Sequence, residues 1–369
     1  MTWMARFTLV LIANSGNDEE EKLKLGILDY APIDEGATPL VALRASTRLV
    51  QLAEQLNYSR FWVSEHHGIE AMASVSPEVL IAHLASATTR IRIGSGGVML
   101  PHYSSVKVAE NFKTLETLNP DRIDLGFGRA PGANPRVSAA LNDEKSGLLP
   151  YPQKVADLLG FLTGGHAADS QYRGVSASPD AGSLPLPWVL GASGSTAELA
   201  ATNGIGFTFA HFINPSARGP RAAEQYRRDF RPSAFLAEPA VIAAVFVAVG
   251  KDETESADLA DAFHLWLSHA EGASPFPRIP SLERARNHQW SPTELAARER
   301  NQGRVIAGTA AKVARSLRDL ADSYGADEVM INPMMPGEHR RAAALEALAA
   351  ELSLSRPRAT LLAESIPQP

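Results

Sequence analysis

No cysteine occurs among the 369 residues of this chain, which excludes disulfides, thiolate zinc sites, iron–sulfur clusters and cysteine nucleophiles. It also lacks any basic stripe: 41 acidic and 35 basic residues are interspersed to a net charge of −6. Without a basic stripe nothing can neutralise a phosphate backbone, so nucleic acid is not an expected partner. The one targeting candidate, FTLVLIA at 7–13, is too short to span a bilayer and lies at the lower limit for a signal-peptide core. Followed by the acidic run Asp18 to Glu21, it reads as part of an N-terminal extension, residues 1–22, without fixed structure. No membrane partner is expected, and a cysteine-free composition fits a reducing cytoplasm.

What is present is a chain with 45% hydrophobic residues, long enough to bury a large core. From Leu23 onward, short β-type runs alternate with helical periodicity, the pattern of a parallel sheet wrapped by helices. Strands are predicted at 23–29, 60–66, 91–99, 122–129, 187–192, 206–211, 240–249 and 328–332. Helices between them carry apolar residues at i, i+3, i+4 and i+7, as in Leu49, Leu52, Ala53 and Leu56, or Leu345, Leu348, Ala349 and Leu352. Thr38-Pro39 and Ser76-Pro77 each set a capping oxygen before a proline at the first helical position. Eight strand–helix units close into a (βα)8 TIM barrel, an α/β fold. We expect one domain over residues 23–352 and a frayed tail beyond.

Two connections, 130–186 after strand four and 251–308 after strand seven, are too long for bare loops and should contain helices. GASPFPRIP at 272–280, rich in glycine and proline, reads as a mobile cover over the barrel mouth rather than core.

Barrel enzymes place their chemistry where strands end on the C-terminal face. Strand two ends in Glu65-His66-His67, which could be a metal site, an acid/base site or a polar loop. Adjacent strand residues point to opposite faces, so the two histidines cannot both face the axis. With no His-x-His in the sequence and only His211 at another strand end, a metal site is disfavoured. Gly94, Gly96 and Gly97 within strand three fit either close backbone approach by a flat ring or a plain β-bulge. Arg129, with Ser193, Gly194, Ser195 and Thr196 at a helix start, fits either an anion site or an ordinary capped helix beside a surface arginine. GFGRAPG at 126–132 lacks the Gly-x-Gly-x-x-Gly spacing, and no Walker motif is present, which disfavours a dinucleotide fold.

Taken together, SEHHG, IRIGSGGVMLPHYSSVKVAENFKTLETLNPDRIDLGFGRAPG, GASGSTAELA and VIAGTAAKVARSLRDLADSYGADEVMI resemble the bacterial luciferase-like monooxygenase family across 23–352. The resemblance implies an FMN-dependent monooxygenase. Reduced FMN from a separate flavin reductase and O2 would oxygenate a small organic substrate through a C4a-peroxyflavin. It further implies a non-proline cis peptide at Gly96-Gly97 beneath the flavin ring, and a phosphate held by Arg129 and Ser193, Gly194, Ser195 and Thr196. His66 would be the catalytic acid/base group, His67 a weaker second, and the assembly a homodimer. Luciferase itself has a glutamate at the position of Ala192 and a reactive cysteine at that of Gly128, so light emission and an aldehyde substrate do not carry over. A deazaflavin-dependent hydride-transfer enzyme and a non-catalytic flavin-binding protein remain the alternatives.

Overall fold

The computed structural model describes residues 23–130, 132–142, 150–216, 218–270 and 276–354. Among these, nine parallel strands form one closed sheet. They are β1 (Lys24–Asp29), β2 (Arg60–Val63), β3 (Arg92–Met99), β4 (Ile123–Gly128), β5 (Leu186–Gly191), β6 (Gly206–Ala210), β7 (Val241–Val249), β8 (Val305–Gly308) and β9 (Glu328–Asn332). Each of β1 to β6 pairs with the next in sequence, and closure runs β6–β7–β9–β1. This is the (βα)8 barrel read from the sequence, with helices between the strands.

The extra strand is β8. The nine-residue β7 pairs with β9 through Ile242 to Phe246 and with β8 through Phe246 to Val249. β8 was not foreseen because its four residues, VIAG, are too short to show a period and lie beside the barrel wall instead of in it. The other differences are at edges. β2 leaves the ladder at Val63, three residues before His66. Thr38 caps its helix, Pro39–Gln55, accepting from Val41 N–H at 3.4 Å. Ser76 makes no such bond, its backbone standing at φ −138°, ψ 82°.

Both long connections are helical as expected. The first holds Pro135–Leu141 and Tyr151–Thr163, the second Glu253–Ala270, Leu282–Asn287 and Pro292–Asn301. The reading of 272–280 as a mobile cover needs correcting for its described part: Ile279 is buried, donates to the Ile33 carbonyl at 2.9 Å and accepts from Glu35 N–H at 2.9 Å. The apolar isoleucine between two prolines is what goes into the core. Residues 272–275 lie outside the described residues, as do 1–22 and the tail after Leu354.

Helices bury one stripe against the outside of the barrel. In Ala310–Tyr324 that stripe is Val313, Ala314, Leu317, Leu320, Ala321 and Tyr324, spaced three and four apart as the 3.6-residue repeat demands. Inside, Leu28, Trp62, Trp188, Ile242, Ala244, Phe246 and Met330 fill the lumen.

The base of the lumen is charged. Arg60 reaches Glu328 at 2.9 Å and Asp124 at 2.8 Å, and Arg92 reaches the other Asp124 oxygen at 2.7 Å. Trp62 Nε1 donates to Asp124 at 2.8 Å, and the Arg60 guanidinium lies 4.8 Å from the Trp188 ring centroid. Asp124 side-chain exposure is 0%. Burial alone would raise its carboxyl, but Arg92 and Arg60 hold it below the ordinary carboxylate range.

Replacing Asp124 by Ala leaves two guanidinium groups without their shared partner, and should destabilise the fold by about 3–5 kcal/mol in urea denaturation followed by circular dichroism. Because the folded value lies below the unfolded one, the contribution of Asp124 is complete above about pH 4. It is lost as pH falls through the folded value, so acid should flatten the difference between the two proteins.

Candidate functional site

The C-terminal ends of β2, β3, β4 and β5 stand side by side in the sheet and bring together His66, Gly96-Gly97, Arg129 and the segment Ser193 to Thr196. His66 follows Trp62 and Ser64 at even spacing and so stays on the lumen side, although the ladder has ended. Its Nδ1 lies 3.0 Å from Ser64 Oγ, and its ring centroid is 4.6 Å from that of Tyr30. Burial, followed by the neighbouring His67, lowers the His66 imidazole to about 4.

Tyr30 is presented by a turn. Ala31 adopts φ +48° and donates its N–H to Asp29 Oδ1 at 2.9 Å. A left-handed alanine costs on the order of 1 kcal/mol, which this bond and the Ser46–Asp29 bond offset. Burial raises the Asp29 carboxyl despite both contacts.

The peptide joining Gly96 to Gly97 is cis, and the ladder between β3 and β4 shifts register between Ser95 and Val98. The register shift is the irregularity that the β-bulge reading expects, and the cis peptide is the one that the family resemblance implies. Neither position has room for a side chain. A Cβ on Gly96 would stand 2.6 Å from Leu28 Cδ1, and one on Gly97 2.8 Å from the Gly126 carbonyl oxygen.

His67 turns the other way. Its Nε2 donates to Glu65 Oε1 at 2.6 Å, where the Tyr103 hydroxyl also donates at 2.6 Å, while Glu65 Oε2 accepts Met99 N–H at 2.9 Å. Glu65, with 0% side-chain exposure, thus ties the end of β2 to the end of β3. The structure separates His67 from the lumen and sets it, through Glu65, at the end of the glycine-bearing strand β3. The sequence named Glu65 but gave it no role; its odd position relative to His66 was the available signal.

Arg129, Tyr151, Pro152, Leu190, Ser195, Thr196 and Leu199 line a cavity of about 350 Å³, with the exposed Glu198 at its rim. Ser193 precedes the helix Gly194–Asn203 without capping it. Its hydroxyl lies instead 3.0 Å from Ser195 Oγ and 3.1 Å from Thr196 Oγ1. Among the described residues the N–H groups of Gly194 and Ser195 have no hydrogen-bond acceptor. The buried Tyr151 hydroxyl likewise has no partner; burial raises it while Arg129 pulls it down. Ser195, Thr196, Tyr151 and Arg129 thus bring two hydroxyls, a phenol and a guanidinium to one cavity, beside the open helix start at Ser193 and Gly194, and donors of these kinds are ones that can hold an anion.

Three more buried polar atoms without partners, Trp188 Nε1, Thr208 Oγ1 and Asn332 Nδ2, belong to residues in step with the lumen-facing Leu190, Ala210 and Met330. Sequence reading passed over Tyr151, Thr208 and Asn332. A lone polar residue at an inward position of an apolar strand is the signal that would have found the last two. His211 is engaged with Tyr324, Nδ1 to hydroxyl 3.0 Å, and no group of three or more ligating side chains able to hold a metal occurs among the described residues. Nor is any described helix long and apolar enough to cross a membrane.

Glu65→Gln keeps the shape but turns one acceptor into a donor, so a buried hydrogen bond to Tyr103, His67 or Met99 is lost. Chemical denaturation should show a loss of about 1–3 kcal/mol. In a pH titration His66 should change charge near 4. Being depressed below the ordinary value of about 6.5, its contribution to stability is complete above that pH and lost as pH falls towards 4. In His66→Gln the unfolding free energy should depend less on pH over this window.

The model of the luciferase-like monooxygenase family matches residues 23–328. The Bacillus subtilis (strain 168) protein YwcH is 44% identical over 312 residues, covering 84% of this chain and 93% of that one. The N-acetyl-S-alkylcysteine monooxygenase of the same organism is 35% identical over 311 residues, covering 84% and 92%. Among solved structures, apo-MsnO8 superposes with a TM-score of 0.81 at 34% identity, covering 91% of this chain and 100% of its own. On the extent of these matches, the chain belongs to the luciferase-like monooxygenase family.

Proposed function

We propose that the protein is an FMN-dependent monooxygenase in which residues 23–352 form one catalytic unit. Reduced FMN comes from a separate flavin reductase, and O2 serves to oxygenate a small organic substrate. The observation that carries this reading is the anion cavity two strands from the glycine segment. Tyr151 hydroxyl, an orphaned buried polar atom, and the open amides of Gly194 and Ser195 fit a phosphate ester. Gly96 and Gly97 carry no side chain that would stand between a flat ring and this backbone, although Leu28 and Trp62 already pack against Gly96 and the Gly126 backbone against Gly97.

When bound, reduced flavin supplies the electrons that activate O2. The chain supplies binding, orientation and exclusion of water. Arg129, Ser193, Gly194, Ser195, Thr196 and Tyr151 hold the phosphate. Leu28, Trp62 and Phe246 keep the lumen dry. His66, the one histidine facing this space from β2, provides hydrogen bonding and proton transfer beside the ring, and His67 acts through Glu65. The His66 imidazole, neutral near pH 7, stands against Tyr30 with ring centroids 4.6 Å apart.

The homodimer we propose forms on the helices Pro39–Gln55 and Pro77–Ser86. Leu40, Val41, Val75 and Val79 are exposed there beside a groove of about 450 Å³ that Leu43, Ala73 and Leu80 also line. Contiguous apolar surface of this kind marks protein contacts. We place the enzyme in the cytoplasm, without nucleic-acid or membrane partners.

Anaerobic titration should show reduced FMN binding at micromolar concentration, weakened by about tenfold or more in Arg129→Ala. With a reductase, NADH and O2, a panel including N-acetyl-S-alkylcysteines should yield an oxygenated product, and His66→Ala should lose most turnover. Uptake of a deazaflavin instead of FMN would establish the hydride-transfer alternative. Hydrogen peroxide as sole product, at a rate unchanged in His66→Ala, would establish a non-catalytic binder. Val79→Asp should convert a dimer to a monomer in sedimentation; a wild-type monomer overturns the pairing.

A further inference from the structure

Ser64 is the first residue past β2 and is 1% exposed. Its main chain is fixed on both sides: its N–H donates to the Asp29 carbonyl at 3.1 Å and its carbonyl accepts from Ser74 Oγ at 2.5 Å. The Ser74 carbonyl in turn accepts His66 N–H at 3.1 Å. Ser74, also 1% exposed, therefore clamps the backbone before and at His66, and leaves the Ser64 hydroxyl one course. Among the described residues its only partner is His66 Nδ1, at 3.0 Å.

The protons can then be counted. A buried hydroxyl has one hydrogen and must place it on an acceptor. Among the described residues the only acceptor in reach is Nδ1, which accepts only when it carries no proton. A neutral imidazole that accepts at Nδ1 carries its hydrogen on Nε2. In the reverse arrangement Nδ1–H would donate to Oγ, and the serine hydrogen would be orphaned in a buried place. The His66 ring is neutral near pH 7, since burial and His67 lower it.

We infer that Ser64 is a positioning residue that locks His66 in the Nε2–H tautomer, so that the ring offers the lumen a hydrogen-bond donor and not a lone pair. Nε2, on the far side of the ring from Ser64, has no hydrogen-bond partner among the described residues and is free for a bound molecule. The group therefore suits an oxygen that gains negative charge, where a preset donor is worth most. Removing a proton from a substrate would first require the ring to change tautomer. The tautomer stands on the hydrogen-bond geometry alone; only its use in oxygenation rests on the function proposed above.

The test is nuclear magnetic resonance of the full chain labelled with 15N-histidine, His66 being assigned by the loss of its signals in His66→Gln. At pH 7 the wild type should give a pyridine-type Nδ1 and a pyrrole-type Nε2 for His66, with the other tautomer below about a tenth because it orphans a buried donor. Ser64→Ala should move both nitrogens towards averaged positions, Ser64→Thr should restore the pattern, and His67 should stay unchanged in both. A pyrrole-type Nδ1 or an even mixture in the wild type overturns the inference without any variant, as does a Ser64→Ala spectrum identical to the wild type. None of these readouts needs flavin, so failure to bind FMN would sink the functional reading and leave this one standing.

Discussion

The closed lumen imposes the constraint on which everything else depends. Side chains from all eight barrel strands must fill one narrow space, and at its base that space holds charge. The Arg60 guanidinium joins β2 to Asp124 on β4 and Glu328 on β9, three strands that the sheet alone connects only through intermediaries. A buried pair of this sort adds little net stability compared with well-packed apolar groups. Its effect is on arrangement: each partner left without the others would be a bare buried charge, so strand order and register have few other low-energy solutions. The floor is thereby fixed, and the residues two and four positions further along each strand rise from it in known directions.

The upper layer inherits that order. Above Arg60 on β2 come Trp62, Ser64 and His66 facing in, and between them Val63 and Glu65 facing out. The same alternation that points His66 at the lumen buries Glu65 among Tyr103, His67 and the Met99 amide. Adjacent residues in SEHHG thus face different ways, one set towards the lumen and one towards the neighbouring strand. Strand β3 is held at its C-terminal end, Met99, by Glu65, and Gly96 and Gly97 pack against Leu28 and the Gly126 backbone, which explains how a strand with so little side-chain packing of its own keeps one shape.

Much of this was legible in the residues. All eight barrel strands could be read because each is a run of β-formers bounded by turn residues, and the helices because their stripes are long enough to show a 3.6-residue period. Alternation separated His66 from His67 before any coordinates. Other features were not legible, for definite reasons. β8 has four residues and a pairing partner already in use elsewhere along its length. Ile279 hides in a stretch whose glycines and prolines speak for a loop, while its burial depends on the Ile33 backbone, almost 250 positions earlier. Tyr151 and Asn332 matter through what they fail to bond with, and a missing partner is a property of three dimensions alone.

The division of β7 between two neighbours has a further consequence. Its last residue, Val249, is registered with Gly308, and the Gly250 N–H donates to the Gly308 carbonyl at 3.2 Å. The chain from Lys251 to Ala307 is therefore an excursion that leaves and rejoins the same strand end. Closing such an excursion costs free energy that grows only with the logarithm of its length, so residues can be gained or lost inside it at little expense to the barrel. A segment closed in this way can change in length while the strands that lead to His66, the glycines and Arg129 stay as they are.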